Sequence, residues 1–258
     1  MSEISNLAAR DLAYGYPART IGRDVTIALN AGEALALLGP NGGGKTTLLK
    51  TLLGLLPPQA GSIMLGQRPL ASISLAERAR LIAYVPQSHA GTFAFTAVEI
   101  VLMGRTAHMG LFGAPSVKDR SVAHAMLERL GIAHLAGQPY TMISGGERQL
   151  VLVARALAQE PRFIILDEPT ASLDFGNQGK VMRQIKALTG EGLGVLFTSH
   201  DPNQALRYAD RVALLGEGRV LAAGRTSDVL TQRALAALYS AGVEVLTTPE
   251  GRVAFLPG

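Results

Sequence analysis

Apolar residues recur along this chain with two different periods, and the change from one to the other divides it into three stretches. The first ninety residues read as short strands separated by turns, with one helix among them. Residues 25–29 alternate apolar and polar, as a strand covered on one face does. Ala34-Leu35-Ala36-Leu37-Leu38 is apolar without interruption, which predicts a strand buried on both faces. Leu48, Leu49, Leu52, Leu53 and Leu56 then follow at helical spacing, and Pro57-Pro58 is the predicted stop.

From about Thr96 to Ala158 the period is helical. Thr96-x-x-Glu99, Ser116-x-x-Asp119 and Ser144-x-x-Glu147 each read as a helix start, the first and third with the Glu of a capping box. Strand patterns return at 163–166 and 194–198, and 211–215 with 219–223 flank Gly216-Glu217-Gly218 as a hairpin. A smaller terminal hairpin is predicted at 243–246 and 253–256, across Pro249-Glu250-Gly251. Strand–helix–strand order at both ends implies an α/β chain with a largely parallel sheet under helical cover, and the middle block is then an all-helical insertion.

Composition narrows this picture without changing it. The 258 residues are 48% hydrophobic and 17% charged, ample for a buried core. No apolar run approaches the roughly 18 residues of a membrane span, and the N-terminus has no apolar stretch like a signal peptide, so the chain is expected to stay where it is made. With no Cys, a disulfide scaffold or thiolate metal site is excluded. The net charge of +4 comes from scattered Arg with no basic cluster, which reads as a solvated surface more than as attraction to phosphates or to an anionic membrane surface. His89, His108, His124, His134 and His200 show no ligand spacing, so the chain is not expected to build a metal site alone.

Gly39-Pro40-Asn41-Gly42-Gly43-Gly44-Lys45-Thr46 matches the phosphate-binding pattern G-x-x-x-x-G-K-[ST], and it sits between a predicted buried strand and a predicted helix. Its glycines let backbone N–H groups curl round a phosphate where a Cβ would obstruct them. Lys45 is expected to set a point charge against the β- and γ-phosphates and Thr46 a hydroxyl on Mg²⁺, with the helix dipole adding positive potential. Residues 163–168, Phe-Ile-Ile-Leu-Asp-Glu, form an apolar strand ending in two carboxylates. A buried strand tip is a costly place for paired charge unless a cation or a reaction uses it. Asp167 is expected to meet Mg²⁺ and Glu168 to polarise an attacking water. Ser144-Gly145-Gly146-Glu147 opens a helix either as a second anion nest or as an ordinary capped start; the residues alone permit both.

In this order, the phosphate loop, Ile143-Ser144-Gly145-Gly146-Glu147 and Leu166-Asp167-Glu168-Pro169 resemble the ATP-binding subunits of ABC transporters. Gln87 in Tyr84-Val85-Pro86-Gln87, Asp174 in Ser172-Leu173-Asp174 and His200 in Thr198-Ser199-His200-Asp201 extend the likeness over nearly the whole chain. Ile143 stands where Leu is usual, Glu147 where Gln is common, and Thr46-Thr47 where Ser-Thr is frequent, without loss of a needed group. The resemblance implies one ATPase domain over 1–258: a P-loop NTPase core at 1–89 and 159–258 with a mostly parallel sheet and an antiparallel N-terminal β-subdomain, and an inserted α-helical subdomain at 90–158.

It further implies that ATP and Mg²⁺ bind at Gly39 to Thr47, and that two copies pair head to tail. Each nucleotide would then be completed by the other copy's Ser144, Gly145, Gly146 and Glu147. Gln87 would touch Mg²⁺ or the lytic water, His200 the γ-phosphate, and Asp174 would connect the two sites. Tyr16 aligns with the aromatic residue that stacks on adenine, with Tyr14 as the alternative two residues away on the same predicted face. Implied partners are integral membrane permease subunits and, through them, a substrate-binding receptor, with no nucleic acid; the implied location is the cytoplasmic face of the inner membrane. Residues 101–108, 173–178 and 200–205 look like the branch that imports metal chelates or oxyanions. The rival reading is a soluble ABC ATPase, such as an iron–sulfur assembly partner. The mixture of Gly, Met, His and Phe over 103–112 suits a groove for a partner helix, with Arg105 and His108 expected to face it.

Overall fold

The strands that cannot face water on either side meet at the centre of the molecule. A computed structural model describes residues 4–87, 95–109 and 113–258. Its main sheet has six strands in the order β10-β9-β3-β8-β7-β6. These are β3 (Ala34–Leu38), β6 (Ile82–Val85), β7 (Phe163–Leu166), β8 (Gly194–Ser199), β9 (Arg211–Gly216) and β10 (Arg219–Arg225). All pairings are parallel except that of β10 with β9, which is a hairpin. Every residue of β3, β7 and β8 is buried.

Strand parity explains why both faces need cover. Leu35, Leu37, Phe163, Ile165 and Leu196 point to one side, where Leu48, Leu49 and Leu52 of α1 (Lys45–Leu52) join them. The same cluster takes in the N-terminal sheet, order β2-β1-β4-β5 and antiparallel throughout: β1 (Asn6–Tyr16), β2 (Arg19–Asn30), β4 (Ala60–Leu65) and β5 (Arg68–Pro69). Ala34, Ala36, Leu38, Ile164, Leu166, Val195 and Phe197 point the other way. That side is covered by α5 (Gly145–Leu157), α6 (Phe175–Ala187) and α7 (Pro202–Tyr208). α2 (Leu75–Leu81) precedes β6, while α8 (Thr226–Val229) and α9 (Gln232–Tyr239) follow β10. A separate hairpin of β11 (Val243–Thr247) and β12 (Val253–Pro257) ends the chain.

Between β6 and β7 lie α3 (Ala97–Leu102), α4 (Val117–Arg129) and α5, the predicted helical block; its expected boundary at residue 90, and His89, lie outside the described residues. All three starts are reciprocal capping boxes, including Ser116, whose N–H and hydroxyl both reach Asp119 Oδ2 at 3.0 and 2.6 Å. An aspartate therefore closes the box that the sequence pattern reserves for Glu. α1 ends at Leu52, short of Pro57-Pro58. Gly54, at φ +70°, stops it: Gly54 N–H donates to Thr51 O and Leu55 N–H to Lys50 O, a left-handed cap that satisfies the last carbonyls.

Arg105 is a correction. It does not face outward but is 3% exposed, with its guanidinium donating to Asp119 Oδ1 (3.0 Å), Ala158 O (2.7 Å) and Glu160 Oε2 (2.7 Å). It thereby ties the segment after α3 to the start of α4 and the end of α5. His108 is held nearby by Gln159 O at 2.8 Å, and residues 110–112 of the expected groove lie outside the described residues.

The Ser116 hydroxyl and N–H, then Arg105, bring the Asp119 carboxyl down to about 2 from 3.8. A carboxyl lowered on folding contributes stability above its unfolded value and loses it as pH falls through the folded one. Asp119→Asn should therefore melt below the native protein at pH 7, and the difference in Tm should close between pH about 4 and 2. A difference in Tm that stays constant from pH 7 to 2 contradicts this linkage.

Candidate functional site

The glycine-rich turn leaves β3 at Gly39, where an added Cβ would lie 2.3 Å from Leu215 O of β9. Gly42 and Gly44 adopt φ of +77° and +89°, left-handed values that favour glycine, and a Cβ on Gly44 would also press 2.7 Å from Ile21 Cγ2. Gly44 is the N-cap of α1 and offers no side chain to the first-turn N–H groups, so these remain available to an anion. The turn borders a cavity of about 410 Å³ lined by Arg19, Ile21, residues 41–47, Gln87 and Glu168.

Two carboxylates close this site, and each has its own surroundings. Asp167, 2% exposed, accepts from the Thr46 and Thr198 hydroxyls at 2.7 Å each and from Tyr84 OH at 3.5 Å. Burial first, then the Asp167 charge, pushes the Tyr84 phenol up to about 12, so it keeps the proton it donates. Glu168 has φ +46°, left-handed and uncommon for a residue with a Cβ. Its N–H donates to Thr198 Oγ1 at 2.7 Å. Its carboxylate gathers Lys45 Nζ at 3.3 Å, Gln87 Nε2 at 3.3 Å and His200 Nδ1 at 3.4 Å. Lys45 is buried and also donates to Gly39 O (2.8 Å) and Pro40 O (3.1 Å). The loop, Asp167, Glu168, Gln87 and His200 thus come together, although in the sequence they are spread from Gly39 to His200.

Other expected site residues stand apart, for none of Tyr16, Ser144, Gly145, Gly146, Glu147 or Asp174 lines the cavity. Ser144 caps α5: its N–H and hydroxyl donate to Glu147 Oε2 at 2.8 and 2.7 Å, which lowers the Glu147 carboxyl. A Cβ on Gly146 would lie 2.9 Å from Asn177 Cγ, which keeps the two helix starts close. Asp174 caps α6, accepting the Asn177 N–H at 2.9 Å and its amide at 2.8 Å. Tyr16 is 45% exposed at the end of β1, whereas Tyr14 is fully buried against the loop beside Gly44. Alternation would place both on one face, but β1 shifts register between Tyr14 and Gly15 and turns them apart.

Thr198, Tyr84 and Arg19 were not singled out from the sequence. Thr198 had a usable signal: a polar residue in an apolar, fully buried strand must find a partner. Arg19 had none, since it only follows a turn.

The family model described as ABC transporter matches residues 23–171. An uncharacterized ABC transporter ATP-binding protein of Haemophilus influenzae is 41% identical over 245 residues, covering 95% of this chain and 93% of that one. The hemin import ATP-binding protein HmuV of Thermobifida fusca is 40% identical over 243 residues, covering 94% and 85%. A solved ABC transporter described as metal-chelate type, in an inward-facing conformation, superimposes with a TM-score of 0.87 at 36% identity over 98% of each chain.

Thr198→Val keeps the shape of β8 but removes the hydroxyl shared by Asp167 and the Glu168 N–H. Two buried polar groups then lose a partner, which should cost about 2–4 kcal/mol in urea unfolding. A loss below about 0.5 kcal/mol would show that the two groups find other partners without strain.

Proposed function

The chain belongs to the ABC transporter family and is an ATPase, and from that premise we propose that it powers a membrane importer whose cargo is a metal chelate. The carrying observation is the Glu168 carboxylate, turned out of its strand so that Lys45, Gln87 and His200 converge on it at the mouth of the glycine-loop cavity. The cargo class rests on the relatives: one is a hemin import protein and another a metal-chelate type transporter.

In this reading the loop N–H groups of residues 39–47 and the Lys45 ammonium hold the β- and γ-phosphates of ATP. The Thr46 hydroxyl, Asp167 and Gln87 offer oxygen donors that suit a hard cation, so these residues would hold Mg²⁺, which supplies charge neutralisation on the phosphates. Glu168 accepts a proton from the attacking water as its oxygen bonds to the γ-phosphorus. The bond from that phosphorus to the β–γ bridging oxygen breaks, and ADP leaves with the bridging electrons. His200 donates a hydrogen bond to the transferred phosphoryl group, and Gln87 orients the water. Tyr16, exposed at the end of β1, stacks on adenine.

Ser144, Gly145, Gly146, Glu147 and Asp174 lie outside the cavity, which supports a site completed by a second copy in head-to-tail contact. A groove of about 380 Å³ between α2 and residues 103–109, lined by Leu75, Ala76, Met103, Thr106 and Met109 among others, supports docking of a membrane-subunit helix. Among the described residues no helix is long and apolar enough to cross a membrane. The chain then sits peripherally on the cytoplasmic face of the inner membrane and meets a substrate-binding receptor only through the permease.

Glu168→Gln should bind MgATP normally and accumulate an ATP-bound dimer on size exclusion, while phosphate release falls roughly 10²–10⁴-fold. A monomeric variant that turns over at the native rate removes Glu168 as the base. Because the chain has no Cys, Ala76→Cys or Thr106→Cys gives a clean cross-linking handle. Capture of a membrane subunit is expected; capture of soluble chains alone would favour the iron–sulfur assembly reading.

A further inference from the structure

The terminal hairpin takes no part in the chemistry assigned above, yet it is fastened to the turn that carries His200. Among the described residues β11 and β12 pair only with each other, and a lone two-stranded hairpin is marginal in water. It is held from outside. The Asn203 side chain, at the start of α7, donates to Phe255 O at 3.0 Å and accepts the Phe255 N–H at 2.8 Å, much as a neighbouring strand would. The Phe255 ring is 5% exposed in the same core cluster as Ala205, Tyr208, Leu235 and Leu238. Gln232 of α9 adds a bond to Val243 O at 2.6 Å.

α9 ends in Tyr239, and Ser240 at φ +50° turns the chain from there into the hairpin. Across an apolar cavity of about 360 Å³, Tyr239 OH donates to His200 O at 2.9 Å. Burial, then the Asp201 and Glu168 charges, pushes this phenol up to about 12, so it stays a donor through the physiological range. The imidazole itself is 53% exposed and 3.4 Å from Glu168 Oε2, so side-chain packing does little to aim it. Its aim depends on the peptide that carries it, whose N–H, on Asp201, donates to Ser199 Oγ at 3.0 Å and whose carbonyl is anchored from outside the turn by Tyr239.

We propose that Tyr239 is a positioning residue for ATP hydrolysis: the hairpin seats its hydroxyl on the His200 carbonyl and so fixes the imidazole beside Glu168. This rests on the reading of His200 as a phosphoryl ligand, and the experiment separates the two. Steady-state ATPase rates and melting temperatures are measured on the full chain carrying Tyr239→Phe, His200→Ala, both together, or Asn203→Ala. Tyr239→Phe should lower kcat about three- to tenfold, the worth of one net hydrogen bond, with KM for ATP within about twofold and Tm within about 2 °C. In the His200→Ala background the same change should cost nothing further. Asn203→Ala, which keeps the Tyr239 hydroxyl but unfastens the hairpin that seats it, should reproduce the kcat loss. A slow His200→Ala beside a native kcat in Tyr239→Phe or Asn203→Ala overturns the proposal and leaves the reading of His200 standing. Losses that add in the double variant, or that track a fall in Tm, also overturn it by making the hydroxyl merely structural. A native rate in His200→Ala removes the reading of His200 itself and the proposal with it.

Discussion

The Thr46 hydroxyl and the Asp167 carboxylate lie 121 positions apart in sequence and 2.7 Å apart in space, and the site depends on that contact. It joins the first turn of α1 to the tip of β7, two elements with no local reason to meet. The sheet order brings them together. β8 lies between β3 and β7, and parallel pairing sets Leu38 beside Ser199 and Leu166 beside Phe197. All the strand ends that carry chemistry therefore open on one edge. Thr198 fills the gap by bonding both Asp167 and the Glu168 backbone. A buried carboxylate that accepts from three hydroxyls avoids the penalty of burying charge alone.

Much of this was legible because the signals were periodic or chemically costly. Ala34 to Leu38 had to be covered on both faces, and a glycine loop between such a strand and a helix has few other uses. The acidic pair after an apolar strand was legible for the same reason: nothing in a core tolerates it by accident. Signals that depend on long-range packing were less readable. Arg105 sits in a stretch whose composition suggests an open groove, yet three acceptors from two other segments draw it inside. Its burial shows only once α4 and the end of α5 are folded against it. Gly54 stopping α1 ahead of Pro57-Pro58 is a local effect that the stronger proline signal obscured, and the Tyr14/Tyr16 separation comes from a register shift that alternation does not encode.

The Ser144 and Asp174 helix starts share a different logic. Each looks like an ordinary N-cap within one chain, with its side chain used locally. Their mutual approach through Gly146 and Asn177 sets two positive helix ends side by side, away from the glycine-loop cavity. On the proposed head-to-tail reading, an anion held between such a pair and the other copy's glycine loop would need a second copy at the right distance, and the residues that cap these helices would then also serve assembly.

Strand parity accounts for most of the site, and one break from it accounts for the rest. Phe163 and Ile165 face α1, so the next odd position, Asp167, faces the same way and meets Thr46. Leu196 faces α1 as well, so Thr198 does too and meets Asp167. Continued extension would send Glu168 to the opposite face, among the residues that pack on α5. The left-handed φ of +46° at Glu168 cancels that alternation and brings its carboxylate round to Lys45, Gln87 and His200. Such a conformation costs of order 1–3 kcal/mol and persists only where its surroundings hold it. Here they do, through the Thr198 bond to the Glu168 N–H on one side and the Ala171 N–H to Glu168 O bond at 3.1 Å on the other. Two adjacent carboxylates thus meet the same glycine-loop helix start with different partners, Asp167 held by hydroxyls and Glu168 by nitrogen donors. That separation suits the proposed roles of Asp167 as a cation ligand and Glu168 as a proton acceptor.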